Sequence, residues 1–160
     1  MNKRLLTLCL LLTAIVTSTK AQSDSETMLT LEALETTTVT IKNPREITSF
    51  YYQKNDEASG VVLTTVPFAT NVTEISLDKG DKLKLFGIWP QYGASEESES
   101  TNINCSGYCY IYGNIMSLFD VNTFPVAKVM NYDYTFAHLF KGNTHIKNHP
   151  SKPLSCQPPR

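Results

Sequence analysis

The stretch that decides the fold class is Thr73-Glu-Ile-Ser-Leu77, followed directly by Asp78-Lys-Gly-Asp81 and Lys82-Leu-Lys-Leu-Phe86. In both flanking segments apolar residues alternate with polar ones, which is the period of a β-strand with one buried face. Gly80 accepts a positive φ without steric cost, and the charged residues beside it favour a solvent-exposed turn. The stretch therefore predicts two β-strands joined as a hairpin.

Strand-like segments of the same kind recur along the chain. They are rich in β-branched and aromatic residues, and turn-forming residues such as the Asn-Pro pair at 43–44 separate them. The segments are 36–41, 47–53, 61–66 and 102–114. Many short strands without a long amphipathic helix predict an all-β fold, an antiparallel β-sandwich of the immunoglobulin-like kind over residues 28–116. Residues 117–160 are expected to be irregular, with short helical turns at 117–119 and 135–140.

The first 21 residues indicate export. Lys3 and Arg4 precede an apolar run over residues 5–16, and small polar residues then lead to a plausible cleavage site after residue 21. The run is too short to span a bilayer, and no second long apolar run follows it. We therefore expect a signal peptide at 1–21, a flexible leader at 22–27, and a secreted or cell-surface protein with no membrane span in the mature chain.

The charge of the mature chain limits its partners. Loss of Lys3, Arg4 and Lys20 with the signal peptide takes the formal net charge from −1 to about −4. A mildly acidic surface argues against nucleic acid as the main partner, because binding to phosphates depends on excess Lys and Arg.

Three cysteines remain after processing, an odd number for an oxidising compartment. Cys105 and Cys109 can form a disulfide only if the chain reverses at Ser106-Gly107, because a straight strand would separate their Cα atoms by roughly 13 Å. The alternatives are such a bridge or two free, partly buried thiols. The third cysteine is Cys156, and this spacing gives little support for zinc.

Aromatic residues provide the only candidate for ligand contact. Trp89 and Tyr92 lie in a long loop and could stack against a sugar ring, although aromatic residues of β-domains more often belong to the core. Tyr108, Tyr110 and Tyr112 alternate with other residues and should share one face of a strand. The alternative function is therefore a glycan-binding module that uses Trp89 and Tyr92.

The sequence contains no motif that would support catalysis. There is no phosphate-binding loop, dinucleotide fingerprint, nucleophile elbow or metalloprotease helix. His145 and His149 have the i, i+4 spacing of two ligands on one helix face, but Pro150 disfavours a helix at that point. Asp78 and Asp81 are better explained by a solvated turn than by calcium. We expect no enzyme activity, no cofactor and no metal site.

Several longer segments resemble a known family. They include residues 29–34, 39–44, 80–87, 109–118, 134–140 and 142–154. Together they resemble the region that precedes the repeats in the BspA-like leucine-rich-repeat surface proteins of gut bacteria. The resemblance implies an exported, non-catalytic, adhesion-type molecule whose partners are host or bacterial surface proteins or glycans.

The resemblance ends at the C-terminus. After Leu154 the family continues with Leu-Pro-Ala-Thr-Thr and then repeats, whereas this chain ends with Ser155-Cys-Gln-Pro-Pro-Arg160. If Ser155 to Arg160 were encoded TCC TGC CAG CCA CCA CGC, the frame that starts at the last base of the Ser155 codon would encode Leu-Pro-Ala-Thr-Thr. We therefore hypothesise a frameshift that truncates the chain before the first repeat. A repeat cap without its neighbour predicts loose packing of Phe136, Leu139, Phe140 and Ile146.

Overall fold

The computed structural model describes residues 27–44, 50–55, 57, 60–61, 71–88, 91–124 and 134–156, which form ten β-strands and two short 3₁₀ turns. The strands are β1 (Leu29–Ala33), β2 (Thr37–Asn43), β3 (Phe50–Lys54), β4 (Gly60–Val61), β5 (Asn71–Leu77), β6 (Lys82–Gly87), β7 (Asn102–Cys105), β8 (Cys109–Asn114), β9 (Ile146–Asn148) and β10 (Leu154–Ser155). The 3₁₀ turns are Glu97–Glu99 and Ile115–Ser117. The expected all-β, sandwich-like fold is confirmed.

The strands form two sheets. The larger sheet has the order β10-β8-β1-β6-β3-β4, with β9 also paired to β8, and the smaller sheet has the order β5-β2-β7. Pairing is antiparallel within the central part of each sheet. In contrast, β9 and β10 both run parallel to β8 along its outer edge. The antiparallel pattern expected from the sequence therefore holds for the centre but not for this edge.

The prediction of a hairpin at Gly80 was wrong about the pairing, although both strands are present. β5 pairs with β2 in the smaller sheet, whereas β6 pairs with β1 and β3 in the larger one. The turn at 78–81 is thus an arch that connects the sheets. Alternation of apolar residues is the same in a hairpin and in an arch, because in both cases one face of each strand is buried.

Three such arches lie side by side at one end of the sandwich. They are residues 34–36 between β1 and β2, 78–81 between β5 and β6, and 106–108 between β7 and β8. The Gly80 N–H donates to the Ala33 carbonyl at 2.8 Å, and the Leu34 N–H donates to the Tyr108 carbonyl at 2.9 Å. These bonds hold the three arches together as one row.

The core lies between the two sheets. It contains the inward-facing residues of every long strand together with residues of the loops, among them Leu31, Val39, Ile41, Phe50, Ile75, Leu83, Leu85, Tyr92, Ile103, Ile111 and Leu118. These side chains form one continuous hydrophobic cluster that includes residues from both sheets, as expected for a sandwich. Burial of these apolar surfaces is the main stabilising contribution to the fold.

The C-terminal residues belong to this same core. Leu139 is only 1% exposed, and the Ile103 N–H of β7 donates to the Leu139 carbonyl at 2.7 Å. The expected loose packing is therefore wrong for Leu139, while Phe136, Phe140 and Ile146 are partly buried against the core. The division at residue 117 does not separate two structural units, because β9 and β10 complete the larger sheet.

Three sequence-based expectations lie largely outside the described residues. They are the signal peptide at 1–21, most of the leader at 22–27, and most of the strand expected at 61–66. Within the described ranges, no helix has the length and apolar character needed to cross a membrane.

Candidate functional site

Tyr92 is not placed to stack against a ligand. Its side chain is fully buried, packs edge-to-face on Phe50 with 5.1 Å between ring centroids, and donates its hydroxyl to the Leu118 carbonyl at 2.8 Å. Burial raises the pKa of the Tyr92 phenol, so the group remains a protonated donor. The proposed aromatic platform is thus incorrect for Tyr92, whose ring is a core residue. Trp89 lies outside the described residues.

A different aromatic surface is formed by β8 and the arch residue that precedes it. Cys109 and Ile111 point into the core, so Tyr108, Tyr110 and Tyr112 lie on the outer face of the larger sheet. Tyr108 is 41% exposed, whereas Tyr112 is almost covered. We call these three residues the tyrosine row. Its shared face agrees with the alternation seen in the sequence.

The C-terminal segment supplies histidine and lysine side chains to the tyrosine row. His145 packs edge-on against Tyr108, and His149 packs against both Tyr110 and Tyr112 with ring centroids 4.9 and 5.2 Å away. These contacts follow from the pairing of β9 with β8, which places residues 145, 147 and 149 on the same outer face.

Two lysines stack on the ends of the row. Lys147 Nζ lies 3.9 Å from the centroid of the Tyr108 ring, and Lys152 Nζ lies 4.7 Å from that of Tyr112. Such cation–π contacts are worth about 0.5–1 kcal/mol each at exposed sites. They hold positive charge at the surface of the row.

A carboxylate borders the row on the side of β1. The Tyr112 hydroxyl donates to Glu32 Oε2 at 3.0 Å. Burial and this carboxylate raise the pKa of Tyr112, so its phenol stays protonated. Outward-facing Lys82 and Lys84 of β6 are paired in register with Glu32 and Thr30. The outer face of the sheet therefore combines aromatic rings with more cationic than anionic groups, an arrangement suited to contact rather than to proton transfer.

The histidines do not form a metal site in the described part of the chain. No group of three or more His, Cys, Asp or Glu side chains is positioned there to hold an ion. His149 Nδ1 accepts a hydrogen bond from the Ser151 N–H at 3.1 Å, which occupies one of its two nitrogens. The spacing of His145 and His149 reflects a strand, in which alternate residues share a face, and not a helix.

Cys105 and Cys109 are brought together at the third arch. Both are buried, and both are thiols in this structure. The interaction between the two thiols lowers the pKa of Cys105 and raises that of Cys109. Cys156 is exposed. The reversal at Ser106-Gly107 that a bridge would require is thus present.

The polar residues of the second arch have structural roles. Asp81 accepts hydrogen bonds from Asn55 Nδ2 at 3.0 Å and from the Asp78 N–H at 2.9 Å, and it forms an ion pair with Lys54 at 2.9 Å. The bonds from Asn55 and Lys54 lower the pKa of Asp81 to about 2. Asp81 therefore fastens the arch to the end of β3.

One open cavity lies away from the tyrosine row. It has a volume of about 310 Å³ and is lined by Lys42, Pro44, Glu97, Ser98, Ser100 and Asn102. Glu97 is already paired with Lys141 at 2.7 Å. The lining therefore offers few unengaged charges to a ligand, and the tyrosine row remains the stronger candidate.

Comparison with known proteins identifies no relative. No protein-family model matches the chain, and neither curated proteins nor solved structures give a match.

Proposed function

We propose that this chain is an exported, non-catalytic β-sandwich module of a leucine-rich-repeat surface protein, located N-terminal to the repeats. Its role is to present a repeat array at the cell surface. The proposal is supported by the signal-peptide pattern at 1–21 and by the resemblance of its longer segments to the BspA-like group. The main structural support is the parallel edge formed by β9 and β10.

The parallel edge is relevant because of how such repeats stack. Each leucine-rich repeat contributes a short strand, and successive strands lie side by side so that the repeats bury a continuous core. β9 and β10 are likewise short and run parallel to β8. Among the described strands, none pairs with the other side of β9. A following strand would find a matching edge there.

Export can be tested by expressing residues 1–160 in a bacterial host and sequencing the N-terminus of the recovered protein. We expect a mature chain that begins at Gln22 and is digested by protease added to intact cells. Leu11→Asp, which interrupts the apolar run, should retain the full-length chain inside the cell, whereas Leu11→Ile should be exported. Equal retention of the wild type and of Leu11→Asp would contradict the proposal.

The second candidate function is glycan binding. For this function we consider the exposed end of the tyrosine row, a different surface from the loop that contains Trp89 and Tyr92. Tyr108 is exposed beside His145 and Lys147, and an aromatic ring with a nearby cation suits a sugar that carries an acidic group. A glycan array should compare the wild type with Tyr108→Ala, Trp89→Ala and Tyr51→Ala. Tyr51 lies on the outer face of the same sheet, away from the row, and serves as the matched control.

Loss of signal only in Tyr108→Ala would place the contact at the tyrosine row. Loss only in Trp89→Ala would place it at the loop. Binding that none of the three substitutions changes would reject both aromatic surfaces.

A further inference from the structure

We infer that Cys105 and Cys109 form a disulfide bond across the third arch, so that it joins the smaller sheet to the larger one. Because β7 and β8 belong to different sheets, this bond would cross-link the two layers of the sandwich through side chains, in addition to the backbone of the arches. Its presence in the cell rests on the proposed export to an oxidising compartment, but its chemistry can be tested on the purified chain.

The positions of the two cysteines in the strands support the bond. Cys105 is the last residue of β7 and pairs in register with Val39, whereas Cys109 is the first residue of β8 and pairs with Ala33. Both side chains face the space between the sheets, with 2% and 0% exposure. Three residues, 106–108, reverse the chain between them, so both thiols lie at the same end of the space between the sheets. The two thiols also interact closely enough to shift each other's pKa in opposite directions.

The reversal itself is held by specific bonds. The Gly107 N–H donates to Thr37 Oγ1 at 2.7 Å, and the Tyr108 N–H donates to Glu35 Oε1 at 2.8 Å. A Cβ at Gly107 would come within 2.9 Å of Glu35 Oε1, so the arch packs closely on the first one. Arch residues fixed in this way keep the two sulfurs together at little additional entropic cost.

The surroundings distinguish the two sulfurs. The Asn143 carbonyl oxygen accepts from the His145 N–H at 2.8 Å and from the Ile146 N–H at 3.2 Å, which orients the side chain. Its buried amide nitrogen has no hydrogen-bond partner among the described residues. Cys109 first, and then Asn143, lower the pKa of Cys105. In the folded chain, Cys105 is therefore the thiol with the lower pKa.

Cys156 is an unsuitable partner for either sulfur. It follows Ser155, which pairs with Asn114 at the far end of β8. Five residues of strand separate Cys109 from Asn114, a distance of roughly 17 Å, whereas the Cα atoms of a disulfide lie about 4.4–6.8 Å apart. Of the three pairings that three cysteines allow, only Cys105–Cys109 fits the fold.

The bond forms by exchange with a disulfide oxidant such as oxidised glutathione. The thiolate of one of the two cysteines attacks one sulfur of the oxidant, forms a mixed disulfide and releases one thiolate. The thiolate of the other cysteine then attacks the sulfur of the first, forms the Cys105–Cys109 bond and releases the second thiolate, so two cysteines are oxidised and one disulfide is reduced to two thiols. The two cysteine protons pass to the released thiolates. Because both sulfurs are buried once the sheets close, exchange precedes complete folding.

Closure of this five-residue loop should raise the folding equilibrium constant by roughly thirty-fold, from the lost freedom of the unfolded chain. The test uses a chain that begins at Gln22, since every described strand lies after that residue. The chain is refolded with oxidised and reduced glutathione, or with dithiothreitol alone. It is then unfolded in denaturant, alkylated and mapped by mass spectrometry.

We expect alkylation of Cys156 alone after oxidative refolding, and of all three cysteines after reductive refolding. Cys156→Ser should have no alkylated cysteine after oxidative refolding and two alkylated cysteines after reductive refolding. Its oxidised form should have the higher urea midpoint. Cys109→Ser should have the same urea midpoint after oxidative and reductive refolding. If this variant does not fold, the peptide map of the wild type still shows whether the Cys105–Cys109 bond forms.

Alkylation of Cys105 and Cys109 after oxidative refolding would overturn the inference. So would a bridged peptide that contains Cys156, or an equal or lower urea midpoint in the oxidised Cys156→Ser chain. None of these results depends on export, so failure here leaves the proposed function to its own test.

Discussion

The backbones of Gly93 and Ala137 are in direct contact: a Cβ added at Gly93 would lie 2.6 Å from the Ala137 carbonyl oxygen. The Gly93 N–H also donates to the Thr135 carbonyl at 3.0 Å. This contact joins the loop after β6 to the segment before β9. The C-terminal residues are thus fastened to the sandwich by backbone as well as by side chains.

Gly93→Ala should destabilise the protein, because the added methyl group meets backbone atoms that cannot rotate away. We expect a loss of about 1–3 kcal/mol in the free energy of unfolding, measured by urea denaturation. Gly142→Ala is the control, since it has open space around it and only a positive φ of 77° to strain. A larger loss in Gly142→Ala than in Gly93→Ala would show that the contact is not close.

Leu139→Ala tests whether the C-terminal segment is part of the core. Leu139 is 1% exposed, so its truncation should cost about 2–5 kcal/mol of stability. Leu154→Ala makes the same change at a side chain that is 39% exposed and should alter stability by no more than about 0.5 kcal/mol. Similar small effects of both substitutions would restore the expectation of a loosely packed cap.

Asp81 should make the stability of the fold depend on acid. Its folded pKa of about 2 lies below the value of roughly 3.9 for an unfolded chain, so its stabilising contribution is complete above that higher pH. The contribution is lost as the pH falls from about 4 to about 2, because protonation removes the ion pair with Lys54.

Asp81→Asn should therefore have a lower urea midpoint than the wild type at pH 7. This difference in midpoint should shrink below pH 4. The difference in midpoint between the wild type and Asp78→Asn should depend less on pH, because Asp78 contributes a backbone N–H to this cluster. A difference in urea midpoint between the wild type and Asp81→Asn that stays constant from pH 7 to pH 2 would be inconsistent with this role of the Asp81 carboxylate.

Tyr92→Phe isolates the buried hydroxyl of a core tyrosine. Its removal leaves the Leu118 carbonyl without its donor, and the expected cost is about 1–3 kcal/mol. Tyr110→Phe, on the half-buried outer face, should cost less. A neutral Tyr92→Phe would indicate that another donor replaces the hydroxyl.

The strands were predictable because each long one alternates between apolar and polar residues. The alternation does not specify which strands pair with each other. The turn at Asp78-Lys-Gly-Asp81 is therefore equally compatible with a hairpin and with an arch between two sheets. The short strands β9 and β10 were missed for a different reason. They contain few β-branched residues and lie beside Pro150 and Pro153, so they depend on the edge of β8 rather than on their own propensity.

The candidate site was only partly visible in the sequence. The alternation of Tyr108, Tyr110 and Tyr112 predicted a shared face. The i, i+4 spacing of His145 and His149 suggested only a helix face, which Pro150 disfavours, although the same segment also has the alternating pattern of a strand. Trp89 and Tyr92 are close in sequence, and this proximity suggested a shared aromatic surface on one loop. Burial of Tyr92 depends on contacts with Phe50 and Leu118, which no local pattern reveals.

The nucleotide sequence from the Ser155 codon onward, past the codon of Arg160, tests the proposed function most directly. We expect a reading frame, offset from that of this chain, that begins with Leu-Pro-Ala-Thr-Thr at the Ser155 codon and continues into leucine-rich repeats. A downstream sequence without leucine-rich repeats in any frame would contradict the proposal that this sandwich precedes a repeat array.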